Sequence, residues 1–134
     1  MRRYDDDICY RGCEPEQTGG GRLVTVEARG EFVGLLPHRV KHSPAGLMWG
    51  YAGSGPADLA RSLLIHTLGD AARCVVCGGA PQPQKCPWCD EGWTVPSSTY
   101  QRFTFEVIAR LPDCGWTLRR SDVLDWLQRA EGCS

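Results

Sequence analysis

Three things are scarce in this chain, and each scarcity removes a class of function. No apolar run approaches the roughly 18–20 residues that a membrane-spanning helix needs. Positive charge is not in excess: 15 Lys and Arg stand against 16 Asp and Glu, a formal net charge of −1. A body so balanced does not hold nucleic-acid phosphates through bulk charge. Internal repeats are missing, and so is the G-x-x-x-x-G-K-[ST] phosphate loop. The opening Met1-Arg2-Arg3-Tyr4-Asp5-Asp6-Asp7 has no apolar stretch behind its basic residues, so it is not expected to be a secretory leader. The expectation is a cytoplasmic protein that does not enter a membrane. Its 134 residues suit a single domain, 1–134, with a sizeable core.

Cysteine, by contrast, is abundant: eight residues. In a reducing compartment such a count is read first as metal ligands rather than as a disulfide framework. Four of the eight have the spacing for it, Cys74-Val75-Val76-Cys77 and Cys86-Pro87-Trp88-Cys89. A two-residue gap lets both sulfurs of a turn point at one ion, and two such turns supply the four thiolates of a tetrahedral zinc site. Gly78, Gly79 and Gly92 supply tight turns, and Pro87 restricts the second turn before metal binds. A redox Cys-x-x-Cys pair is the competing reading. Four sulfurs without a water or carboxylate describe a closed site, hence one structural Zn²⁺ rather than a catalytic one. Cys9, Cys13, Cys114 and Cys133 have no such spacing and read as small buried hydrophobes or exposed thiols.

The segment resembles a zinc ribbon, and its Cys86–Gly92 half is similar to the zinc-hairpin repeats of J-type chaperones. That resemblance implies a metal. Four thiolates and one Zn²⁺ take the formal −1 to about −3. Trp88 and Trp93 then offer faces to a protein partner or to bases, unless they cover the metal and pack the ribbon onto the body.

Along the rest of the chain, glycine and polar residues over 4–22 predict a flexible loop. Alternation over 22–28 predicts a strand, Arg29-Gly30-Glu31 a turn, and 32–36, ended by Pro37, the returning strand. The segment 37–55 is irregular. A helix is expected over 56–68, capped by Ser54, with Leu59, Leu63, Leu64 and His66 on its apolar face and Asp58, Arg61 and Ser62 on its polar one. A second helix is expected over 99–111 and ends at Pro112. Residues 116–118 read as extended, and Ser121 as the cap of a final helix. The fold class is α+β: a small antiparallel sheet with about three helices, and a four-cysteine zinc ribbon, 73–95, inserted between the first two.

The run His42-Ser43-Pro44-Ala45-Gly46-Leu47-Met48-Trp49-Gly50-Tyr51-Ala52-Gly53-Ser54-Gly55-Pro56-Ala57 is similar to the hallmark of a family of small uncharacterised bacterial and bacteriophage proteins, a domain of unknown function. Tyr100–Phe103, Glu106–Ala109 and the Trp116/Trp126 region look similar too. The resemblance implies a bacterial or phage origin and an intracellular setting, and it transfers no activity. Read directly, Gly53-Ser54-Gly55-Pro56 opens a helix whose free N–H groups favour an anion, against which Asp58 in the first turn works. Alternatively, the glycines allow a tight turn into the helix, while Trp49 and Tyr51 fill the core. His38, Arg39, Lys41 and His42 form the local basic cluster, a solvated loop or a weak phosphate contact.

No catalytic residue is expected. Ser54 or a free cysteine, His42 or His66, and Asp58 or Glu106 would be the candidates, and nothing in their spacing brings them together. The resulting expectation is a zinc-stabilised protein that binds a protein partner, such as a host complex that it inhibits or assists. Candidate contacts are Trp88, Trp93, Arg39 and Lys41. A nucleic-acid-binding accessory factor is second. An enzyme with its site at the loop of Trp49, Tyr51, Ser54, Gly55 and Pro56 is third.

Overall fold

The computed structural model describes residues 8–13, 22–39, 46–77, 86–87, 89 and 92–132. Strands β1 (Ile8–Cys13), β2 (Leu23–Ala28), β3 (Glu31–Leu35) and β4 (Gly115–Arg119) form one antiparallel sheet in the order β3-β2-β1-β4. Between β2 and β3, Arg29 and Gly30 both take positive φ, 56° and 80°. That two-residue turn follows the right-handed twist of the strands it joins. One face of the sheet carries Tyr10, Val24, Val26 and Trp116, all buried. Against it lie helices α1 (Ser54–Leu68), α2 (Ser97–Glu106) and α3 (Arg120–Gly132). They bring Leu59, Leu63, Leu64, Tyr100, Phe103, Val123 and Trp126 into the same core. The α+β architecture is the expected one.

Four local expectations need correction. The loop expected over 4–22 contains β1, which pairs with β2 on one side and β4 on the other. Gly12, a turn signal by composition, is there for clearance: a Cβ on it would lie 2.3 Å from the Trp116 ring. Residues 14–21 lie outside those described.

The polar face expected for α1 is buried. Asp58, Arg61 and Ser62 are at most 2% exposed, because the chain after β3 lies along them. The Asp58 carboxylate meets His38 Nε2 at 2.9 Å. Ser62 Oγ accepts the Arg39 N–H at 3.0 Å, and Arg61 donates to the Arg39 carbonyl at 3.3 Å. Polar residues facing main chain and a histidine bury at a reduced cost, although Arg61 Nε is buried without a hydrogen-bond acceptor.

The helix expected over 99–111 stops at Glu106. Val107 leaves helical geometry at φ −122°, ψ −60°, and a 3₁₀ turn follows over Ile108–Arg110. The break turns Ile108 into the core and presents its carbonyl to the Gly50 N–H at 3.1 Å.

Neither expected serine cap exists. Ser54 is the first residue of α1, whose cap position is Gly53 with no side-chain bond. At α3, Ser121 lies inside the helix, and the Asp122 carboxylate accepts the Arg119 N–H at 3.0 Å. A carboxylate there also suits the positive helix end.

Candidate metal centre

Between α1 and α2 the chain leaves the body and returns through a narrow base. Arg73 bridges Trp93, the Cys74 N–H donates to the Gly92 carbonyl at 2.8 Å, and the Thr94 N–H to the Ala72 carbonyl at 2.7 Å. The two ends of the ribbon are thus zipped as a short antiparallel ladder, which holds Cys74 beside the return strand. Gly92 has φ 94°, a left-handed conformation that glycine takes without penalty. From there its N–H donates to Cys89 Sγ at 3.3 Å.

This base and the two Cys-x-x-Cys turns bring Cys74, Cys77, Cys86 and Cys89 together, with all four sulfurs within 4.8 Å of one another. Cys74 and Cys86 are 4.0 Å apart, and Cys77 and Cys89 3.7 Å. A tetrahedron of Zn–S bonds about 2.3 Å long has S···S edges of about 3.8 Å. The residues therefore fit zinc, and they supply all four positions of a closed site. Backbone N–H groups, that of Cys77 foremost, hold the Cys74 thiol down to about 7, whereas burial pushes Cys89 up to about 12. A divalent cation favours thiolate at every one of these sulfurs and displaces their protons on binding. Among the described residues no other group of three or more metal-ligating side chains converges. Cys13 and Cys114 are exposed and line one shallow groove beside β1 and β4.

The other residues singled out in the sequence are spread over the molecule. Trp93 is partly buried at the ribbon base, with the Arg39 and Arg73 guanidinium carbons each 5.1 Å from its ring centroid. The structure thus brings two of the contact candidates, Trp93 and Arg39, together. Trp88, Lys41 and His42 lie outside the described residues.

In the motif loop, Trp49 is 1% exposed and packs edge-on against Trp116 at 5.5 Å, beneath Arg22. Tyr51 does not fill the core as expected. It is 48% exposed, its ring lying where a Cβ on Gly53 would come within 2.7 Å. Gly55 is packed against Met48, whose side chain a Cβ would meet at 2.8 Å. The loop packs closely around Trp49, and a shallow hollow beside Ala52, Ser54 and Phe105 opens next to it.

His66 is held, as its position on the apolar face implied: Tyr10 Oη lies 2.9 Å from Nδ1 and 3.0 Å from Thr67 Oγ1. Burial, then the charges of Arg120 and Arg39, push the His66 pKa down, and burial raises Tyr10 to about 12. Asp58, Ser62 and His66 recur every fourth residue on α1, one stripe of the helix. That periodicity is the signal that this face meets structured polar groups rather than water.

A family model described as a family of unknown function, DUF6166, matches residues 10–76, half of the 134 residues. The matched stretch holds β1 from Tyr10 onward, β2, β3, the motif loop and α1. It stops within the ribbon, before Cys77, Cys86 and Cys89, and before the Tyr100 and Trp116/Trp126 regions. No curated protein matches the chain, nor does any solved structure.

Proposed function

The chain belongs to the family of unknown function DUF6166, and from that frame we propose a non-catalytic binding protein whose ribbon, closed around one structural zinc, recognises a protein partner. The four-sulfur cluster carries this reading. A closed four-thiolate centre offers no open position to a substrate; it supplies rigidity. What it rigidifies is apolar and exposed: Val75 is 97% and Val76 62% exposed at the first turn. Two β-branched side chains held outward on a metal-locked turn lose little freedom on binding, which favours a protein contact.

The negative balance of the holo chain works against the nucleic-acid alternative. The likeness of the 42–57 motif supports a bacterial or phage origin.

Two measurements test the proposal. Elemental analysis of reduced, purified protein is expected to find one zinc per chain, lost in Cys77→Ser and Cys86→Ser; absence of tightly held metal defeats it. A photoreactive residue placed at Val75 is expected to cross-link a protein in the native host, and the adduct to vanish on chelation. The same probe at Thr117, on the exposed side of β4, should give none. Equal adducts from both positions would mean that the ribbon is not the contact.

A further inference from the structure

We infer that the open face of the sheet, along β2 and β3, is the contact through which two copies of this chain pair. The three helices pack their apolar residues against the other face. On the open face, antiparallel pairing sets Leu35 opposite Thr25 and Phe32 opposite Glu27. Leu23 stands two residues before Thr25 on the same side of β2. Val33 is the extra residue of β3 where the register shifts between Val26 and Glu27. Leu23, Phe32, Val33 and Leu35 are 53–65% exposed. Among the described residues, the other exposed large apolar side chains, Tyr51, Phe105, Val75 and Val76, belong to the motif loop, α2 and the ribbon.

An antiparallel sheet that meets water on one side carries polar residues there as a rule, and the β1 and β4 half obeys it. Arg11 Nε lies 3.5 Å from the Glu27 carboxylate, Thr25 Oγ1 donates to the Arg11 carbonyl at 3.4 Å, and Thr117 pairs with Arg11. The β2–β3 half breaks the rule. An apolar strip beside a polar rim is the pattern of a protein contact rather than of a solvated surface. The four side chains together present about 500 Å² of apolar surface, as large as the largest patches that monomers expose.

A second copy is the occupant that this face fits. A two-fold axis doubles the strip to about 1,000 Å², the least area that a specific interface needs. The rim charges, Arg11 with Glu27 and Arg29 with Glu31, cancel, and the formal net charge of the chain is only −1, so an identical face meets little repulsion. The register shift leaves β3 too irregular to template a long ladder at its free edge. The copies therefore meet face to face, with the apolar side chains of the two sheets interdigitating. This pairing uses neither the metal nor the ribbon.

Sedimentation equilibrium of the zinc-loaded full chain, from about 1 μM to about 1 mM, tests the pairing. A monomer–dimer equilibrium with Kd between about 1 and 100 μM is expected. Phe32→Lys and Val33→Lys each bring two like charges together across the axis and should weaken it at least about tenfold. Thermal melts of both at low concentration should stay near the parent's, since both side chains are exposed, which separates lost pairing from lost folding. Phe105→Lys on α2 and Val75→Lys on the ribbon should leave the equilibrium unchanged. A chain that stays monomeric across the range overturns the assignment, as does a dimer that survives both β3 changes. Loss of the dimer in Val75→Lys overturns it too, by placing self-association on the ribbon. A monomeric chain whose photoreactive probe at Phe32 cross-links a different protein gives the face to that partner and excludes the self-pairing.

Discussion

At the residue scale, the centre of the sheet depends on one missing methyl group. A Cβ at Gly12 would stand 2.3 Å from the Trp116 ring, and Trp116 is also the edge-on partner of Trp49. Gly12→Ala is therefore expected to destabilise the protein by about 1–3 kcal/mol or more in urea denaturation. Gly34→Ala, on the edge strand with nothing within 4 Å, should change stability by less than about 0.5 kcal/mol. Tyr10 sets the alkaline limit. Its pKa rises from 10.0 to about 12 on folding, so above pH 10 the unfolded chain binds fewer protons than the native one, and stability falls with pH at up to about 1.4 kcal/mol per unit. Tyr10→Phe should flatten that limb in thermal melts between pH 9 and 12. His66 acts in the opposite sense. Its pKa is lowered from 6.5, so the unfolded chain takes up the proton first on acidification, and stability declines below about that pH. Sequence showed the four clustered cysteines plainly, because a Cys-x-x-Cys turn encodes its geometry locally. It did not show that Asp58, Arg61 and Ser62 are buried, because helical periodicity assigns polar residues to water and cannot see the returning chain that covers them.

At the element scale, the cap of α3 is a carboxylate two residues inside the helix, not the serine before it. Asp122 accepts the Arg119 N–H, which lies where β4 runs directly into α3. Asp122→Ala should cost about 1 kcal/mol and Ser121→Ala far less, read from paired thermal melts. Strand β2 and helix α1 were legible because each keeps its own period over five or more residues, and β3 because a turn precedes it and Pro37 follows it. Strand β1 was not, since Ile8–Cys13 follows a charged stretch and carries a glycine whose reason, the Trp116 ring, lies about a hundred residues away. The end of α2 was hidden for a related reason. Val107, Ile108 and Leu111 continue the helical spacing, but the Gly50 N–H claims the Ile108 carbonyl, and the backbone tightens to deliver it.

At the scale of the whole molecule, the question is whether the ribbon and the sheet–helix body are one cooperative unit. The body has its own core, drawn from β1, β2, β4 and all three helices, and of the four clustered cysteines only Cys74 is buried. The family match ends at residue 76, so the frame it covers holds just one of those ligands. Structural zinc contributes about 10–16 kcal/mol in small finger peptides, comparable to the entire stability of a typical domain at about 5–15 kcal/mol. If the ribbon is an insertion on a self-sufficient body, chelation removes that energy from a segment that contributes little to the core. Residues 74–93 should then unfold, while the far-ultraviolet dichroism of the helices and the hydrogen-exchange protection of Tyr10, Leu63 and Phe103 persist. The connection between the two parts is the pair of main-chain bonds at Ala72–Cys74 and Gly92–Thr94, together with Trp93 under its two arginines. Those contacts should loosen as the metal leaves. Loss of protection at Tyr10 and Leu63 on chelation would show instead that the body needs the metal in order to fold, and that the ribbon is part of the core rather than a projection from it.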